Sequence, residues 1–163
     1  MTPMNNRTDP RKLKVVEVPS TREPITSFTG PYRFLSNFHP SRIPRGEYIY
    51  ATVEHAFQAA KTDSARERRD ILNASTPGEA KRLGRRCTLR PNWEQVKIDV
   101  MRECLRIKFL DDHLRSQLLA TGEAELVEGN TWMDRFWGQC PVGVGENMLG
   151  KLLMELRREL RRG

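Results

Sequence analysis

Glu54, Gln58 and Lys61 lie in one row along the stretch TVEHAFQAAK, beside an apolar stripe made by Val53, Ala56, Phe57 and Ala60 at helical spacing. Packing alone does not call for an acid, an amide and an amine in line next to a core face. Glu54 and Lys61 stand seven positions apart, about 10.5 Å along a helix axis. They are therefore placed to grip two parts of one ligand rather than each other. Glu54 also falls in the first helical turn, where a carboxylate serves the helix dipole without any ligand. His55, about 100° round the helix from Glu54, is peripheral to that row. A second segment, GPYRFLSNFHP, sets Arg33, Ser36 and Asn37 between aromatic and apolar residues, and these three suit a phosphate or a sugar hydroxyl. A third, NTWMDRFWG, surrounds Asp134 with two tryptophans and a phenylalanine. A loop aspartate is ordinarily a cap or turn residue, but one enclosed by rings is desolvated or stands beside a stacked base. Cleavage of a glycosidic bond commonly uses two carboxyl groups flanking it, and Glu54 and Asp134 are the candidates for such a pair.

The elements that must position these groups follow from the rest of the chain. Its 163 residues, 37% of them hydrophobic, supply one core. Residues 1–24 are polar and proline-punctuated and read as a flexible tail, with at most a short strand at KVVEV; the folded domain spans 25–163. ITSF, RF and EYIYA read as short strands, with SNFHPSRIPRGE as the loop between the last two. From Thr52 onward the pattern is helical. Thr52 is the first cap, SARERRDILNA and TPGEAKRLGRR follow, and Thr76, Pro77 and Glu79 spell a capping box. PNWEQVKIDVMRECLRIKFLD is the longest helix, HLRSQLLATG stops at Gly122, AELVEGN suggests a strand, and NMLGKLLMELRREL closes the chain. The fold class is α+β, mostly helical, in a single compact domain with a few short strands.

A net charge of +7 favours anionic partners, although the run ELRRELRRG also serves a helix end. Cys87, Cys104 and Cys140 are odd in number and irregularly spaced, which excludes a disulfide framework and reads as reduced thiols. His39, His55 and His113 lack ligand spacing, so no metal and no cofactor is expected. Neither a membrane-length apolar run nor a secretory leader is present, and a cytoplasmic protein is expected.

The motifs YRFLSNF, TVEHAFQAAK, TPGEAKRLGR, NWEQVKIDVMRECLRIKF, LLATGEAELVEGN, DRFWG and GENMLGKLLMELRREL occur in order over about Ile25 to Leu160. In order and spacing they resemble the NADAR family. The resemblance implies a compact, mostly helical fold and an N-glycosidase activity. One implied substrate class is the early riboflavin-biosynthesis intermediates, cleaved to release ribose 5-phosphate. The other is ADP-ribosylated guanine in nucleic acid. It also implies functional roles for Glu54, Trp93, Asp134 and Trp137, although periodicity alone makes Trp93 a core residue. On this reading Arg33, Ser36 and Asn37 hold the phosphate or ribose, assisted by amides at the start of the last helix. Trp93 and Trp137 stack on the base or wall the sugar. Glu54 orients water or steadies positive charge, and Asp134 protonates the departing nitrogen, with the two roles exchangeable. Lys61 either contacts phosphate or hydroxyl, or attacks the opened sugar as a Schiff-base amine. The competing class is a non-catalytic module that binds ADP-ribose, NAD or nucleic acid. The partner is accordingly a small phosphorylated ribosyl compound or an ADP-ribosylated nucleic acid, and the sequence leaves the oligomeric state open.

Overall fold

A computed structural model of the chain describes residues 23–131 and 133–163. The strand expected at KVVEV and nearly all of the expected tail lie outside the described residues. A 3-10 helix, Gly30–Leu35, is followed by a hairpin of β1, Ile43–Arg45, and β2, Tyr48–Tyr50. Among the described residues six α-helices follow: α1 Val53–Ala59, α2 Ala65–Leu72, α3 Pro77–Arg86, α4 Trp93–Lys108, α5 Asp112–Ala120 and α6 Met148–Arg162.

The centre of this arrangement is α1, which touches α2, α3, α4 and both strands. Thr52 is extended and its hydroxyl accepts from the His55 amide, so the cap that the sequence places there starts the helix. Every residue of α1 is buried. The polar row is thus not a solvated flank, and Glu54 and Gln58 are interior groups. His55 is buried as well, held between the Thr52 hydroxyl and the Ala74 carbonyl, which makes it a structural residue. Ser64 caps α2 and Thr76 caps α3, with Pro77 at the first helical position. Glu79 closes the latter cap one residue earlier than a capping box does, accepting from the amide and hydroxyl of Ser75. The long helix α4 buries Trp93, Val100, Met101, Cys104, Leu105 and Lys108.

Three strand expectations are corrected. RF belongs to the 3-10 helix: consecutive Phe34 and Leu35 are both buried, which the two-residue alternation of a half-buried strand does not allow. The real hairpin lies partly inside the expected loop, pairing Ile43 with Tyr50 across a two-residue turn in which Gly46 has φ +62°. ITSF and AELVEGN form no strand and contribute isolated parallel bridges: Ile25 with Leu126, anchored by the Ile25 amide on Glu125 and the Val127 amide on Ile25, and Gly129 with Gln139.

The basic C-terminus serves the fold. Arg157 is buried and donates to the Thr121 hydroxyl and the Ala124 carbonyl, and Arg161 donates to Gly122 and Glu123. All three cysteines are free. Burial pushes the Cys104 thiol up to about 12, whereas backbone amides near Val144 pull that of the accessible Cys140 down. Iodoacetamide at neutral pH is therefore expected to label Cys140 first and Cys104 only on unfolding, as peptide mass mapping would show; early labelling of Cys104 would contradict this packing. Among the described residues, no helix is long and apolar enough to cross a membrane.

Candidate active site

One cavity of about 540 Å³ opens where the 3-10 helix, α1, α3 and the segment 128–137 meet. That is the size of a small-ligand pocket. Arg33, Ser36, Asn37, Glu54, Lys61, Asp134 and Trp137 all line it, so residues separated by about a hundred positions in the chain converge. Trp93 does not line it.

Glu54 is anchored at both ends. Its amide donates to the Asn37 carbonyl at 3.1 Å, and its carboxylate accepts from Gln58 Nε2 at 2.8 Å. Burial raises its pKa; the Gln58 hydrogen bond and the charges of Lys81 and Lys61 oppose the shift, and Asp134 adds to it. Burial also lowers the pKa of the Lys61 amine, against the pull of Glu54. Gln58 owes its position to Gly84 on α3: a Cβ there would stand 1.8 Å from Gln58 Oε1 and 2.6 Å from its Cδ. Alanine is the better helix former by about 1 kcal/mol, but its Cβ forces the end of the Gln58 side chain to move. Gly84→Ala is expected to displace the Gln58 amide from Glu54 and to lower kcat by about 10–100-fold through misplacement of the carboxyl. Unchanged kcat in steady-state assays would show that Gln58 does not orient Glu54.

Asp134 is set by a different device. The Asn130 side chain holds its backbone on both sides, while Asp134 Oδ1 accepts from the amides of Phe136, at 3.2 Å, and Trp137, at 2.9 Å. The preceding Met133 has φ +70°, an unfavourable conformation for a side chain of its kind and one that accompanies functional loops. The turn fixed by Asp134 presents Trp137 to the cavity. Trp137 meets Phe57 edge-on at 5.2 Å, and Phe57 lies against Trp93 at 5.1 Å. Trp93 is thus a buried backing for the ring that faces the cavity, as its periodicity indicates.

The amides expected to bind an anion at the start of α6 are occupied. Met148 donates to the Phe136 carbonyl and Leu149 to that of Trp137, while the Asn147 side chain bridges Glu128 and Leu126. Positive charge instead comes from side chains. Lys81 and Arg85, which sequence reasoning passed over, line the cavity near Lys61, and Arg33 adds a cation from the 3-10 helix. Their spacing of four residues on one helical face, beside a mid-helix glycine, was the available signal. Glu128 was also missed. It lines the cavity, and burial together with Asp134 raises its pKa to about 7.

A small, mostly helical α+β domain that closes carboxyl groups and cations around one cavity has the organisation of a single-domain enzyme. The chain belongs to the NADAR domain family, which matches residues 25–161. The N-glycosidase YbiA of Escherichia coli strain K12 is 45% identical over 138 residues, 82% of this chain and 85% of the relative. A riboflavin biosynthesis protein of Vibrio vulnificus is 40% identical over 130 residues, 78% of this chain and 35% of that longer protein. The solved NMR structure of Escherichia coli YbiA superposes with a TM-score of 0.76 at 42% identity, covering 89% of this chain and 88% of that one.

Proposed function

We propose that this protein is an N-glycosidase that hydrolyses the bond between the anomeric carbon of a phosphorylated ribose and an amine nitrogen, with early riboflavin-biosynthesis intermediates as substrates and ribose 5-phosphate as one product. The observation that carries this reading is that Glu54 and Asp134 line one cavity together with Lys61, Lys81 and Arg85. The names of the relatives, an N-glycosidase and a riboflavin biosynthesis protein, support it.

The side chains divide the work. Lys61, Lys81 and Arg85 attract the phosphate, and Trp137 walls the base or sugar and excludes water. As the C–N bond breaks, its electron pair goes to nitrogen, which takes a proton, and positive charge develops on the anomeric carbon and ring oxygen. Glu54, whose burial favours the protonated form, is the proton-transfer group; Asp134, fixed by two amides, faces the developing charge. Water then adds to the anomeric carbon and its proton passes to the carboxyl that gave one up. Lys61 serves as a phosphate or hydroxyl contact. If its amine instead attacks the opened sugar, borohydride would trap a sugar adduct on Lys61.

The second reading, removal of ADP-ribose from guanine, draws on Arg33, a further cation on a different wall that suits a second phosphate. Mass spectrometry of products from riboflavin intermediates and from ADP-ribosylated guanine oligonucleotides separates the two. Release from neither, with saturable ADP-ribose binding, would leave a non-catalytic binding module and overturn the proposal.

A further inference from the structure

Two acceptor oxygens in the cavity wall are buried and have no hydrogen-bond partner: Asn37 Oδ1 and Glu128 Oε2. A buried acceptor left unpaired is costly, and native proteins rarely keep one without a use. We infer that these two oxygens receive hydroxyl groups of the substrate's ribose and make the site select ribosyl over 2-deoxyribosyl ligands, an inference that rests on the phosphoribosyl reading above.

Both side chains are held with the acceptor free. Asn37 is only 7% exposed and its Nδ2 donates to the Met101 sulfur at 3.6 Å. The nitrogen end faces the sulfur, to which it alone can donate, and Oδ1 is the unpaired end. The Asn37 carbonyl meanwhile takes the Glu54 amide, which ties this acceptor to the candidate catalytic carboxyl. Glu128 is set by its backbone: its amide donates to Asn147 Oδ1 at 3.0 Å and its carbonyl accepts from the Gln139 amide at 2.9 Å. Gly138 leaves room for the side chain, since a Cβ there would meet the Glu128 carbonyl at 2.4 Å and Cγ at 3.2 Å. Lys108 stands near both: its Nζ donates to the carbonyl of Ser36, next to Asn37, and its charge acts on Glu128.

The chemistry of the acceptors decides what they bind. An amide oxygen and an ionised carboxylate oxygen disfavour phosphate and need a donor from the ligand; sugar hydroxyls supply donors. The anion belongs with the cations of α1 and α3. Gln58 Oε1, a third unpartnered acceptor, is packed against Gly84 and is not part of this pair.

The test is calorimetric titration of the full chain with ribose 5-phosphate and 2-deoxyribose 5-phosphate. The intact protein is expected to bind the ribose compound at least about tenfold more tightly, because the deoxy sugar leaves a buried acceptor empty. Of Asn37→Ala and Glu128→Met, the variant that removes the acceptor of the 2-hydroxyl should shrink that ratio by weakening binding of the ribose compound alone, and the other should weaken binding of both sugars, whereas Glu128→Gln, which keeps an acceptor oxygen, should preserve most of the ratio. Near-UV circular dichroism checks that each variant is folded. Equal binding of the two sugars by the intact protein, or an undiminished ratio in both folded variants, overturns this inference while leaving the phosphoribosyl reading in place. No binding of either sugar phosphate by the intact protein removes that reading, and this inference with it.

Discussion

Glu54→Gln is expected to lower kcat/KM for N-glycoside cleavage by about 10²–10⁴-fold, the range of a lost proton-transfer group, while leaving the fold intact. Glutamine keeps the oxygen that accepts from Gln58 Nε2 and does not touch the Glu54 amide on Asn37. The stability effect has a definite sign. Burial raises the folded-state pKa of Glu54 above its unfolded value, so the folded protein binds the proton more tightly. That contribution to stability is present at acidic pH and is lost as pH rises through the folded value. A neutral amide escapes the loss, so the variant should melt at or above the intact protein at neutral pH, with the difference vanishing in acid. Turnover measured alongside thermal melts at two pH values checks both halves. Retained turnover would remove Glu54 from the chemistry; lost turnover with a collapsed melting temperature would make it a packing residue.

What the sequence discloses about this site depends on how each residue announces itself. Glu54, Gln58 and Lys61 were legible because a periodic helix makes any polar row beside its apolar stripe conspicuous, and Thr52 marked where the helix begins. Arg33, Ser36, Asn37, Asp134 and Trp137 stood out as polar or aromatic residues crowded into aperiodic segments. Lys81 and Arg85 were overlooked because cations on a short helix read as a solvated face, and only tertiary packing turns that face inward. Glu128 had no signal at all: it sits in a segment paired only through isolated bridges, one to distant Ile25 and one to Gln139 across an aperiodic loop. Isolated bridges leave no alternation to read. ITSF and AELVEGN carry the β-branched and apolar residues of strands but meet their partners only in isolated bridges, and the adjacent burial of Phe34 and Leu35 accompanies a 3-10 helix in place of a strand. The amides of α6 illustrate a different limit. A helix start suggests free donors, but the turn fixed by Asp134 supplies carbonyls to them. Which donors remain free is a property of the assembled loop rather than of the helix.

Lys108 carries the other large expected effect, on stability. Its side chain is 1% exposed, its Nζ donates to the Ser36 carbonyl at 2.9 Å and lies 5.3 Å from the Phe109 ring centre. Burial lowers its pKa from 10.5 to about 7, with the Glu128 charge opposing the shift. Between those values the unfolded chain holds a proton that the folded protein does not, so stability rises with pH across that window and the penalty is present in full below it. Lys108→Met removes the penalty with a side chain of similar length. It orphans nothing at Ser36, whose carbonyl also accepts from the His39 amide at 3.1 Å. The variant is expected to be more stable than the intact protein at pH 6–7 by on the order of 3–5 kcal/mol, with the gain shrinking to nothing as pH approaches 10.5. Urea denaturation across that pH series measures it. A variant that is less stable at pH 6–7 would mean that Ser36 and Glu128 fully compensate the buried ammonium. Glu128 adds the mirror-image contribution: its pKa, raised to about 7, gives stability that is lost as pH rises from 4.5 towards neutrality. The two penalties overlap near neutral pH, where a packed apolar pair would be more stable. Their position beside Ser36, Asn37 and the cavity gives the pair a reason other than stability, since sites that hold polar groups ready for a ligand are commonly less stable than the fold allows.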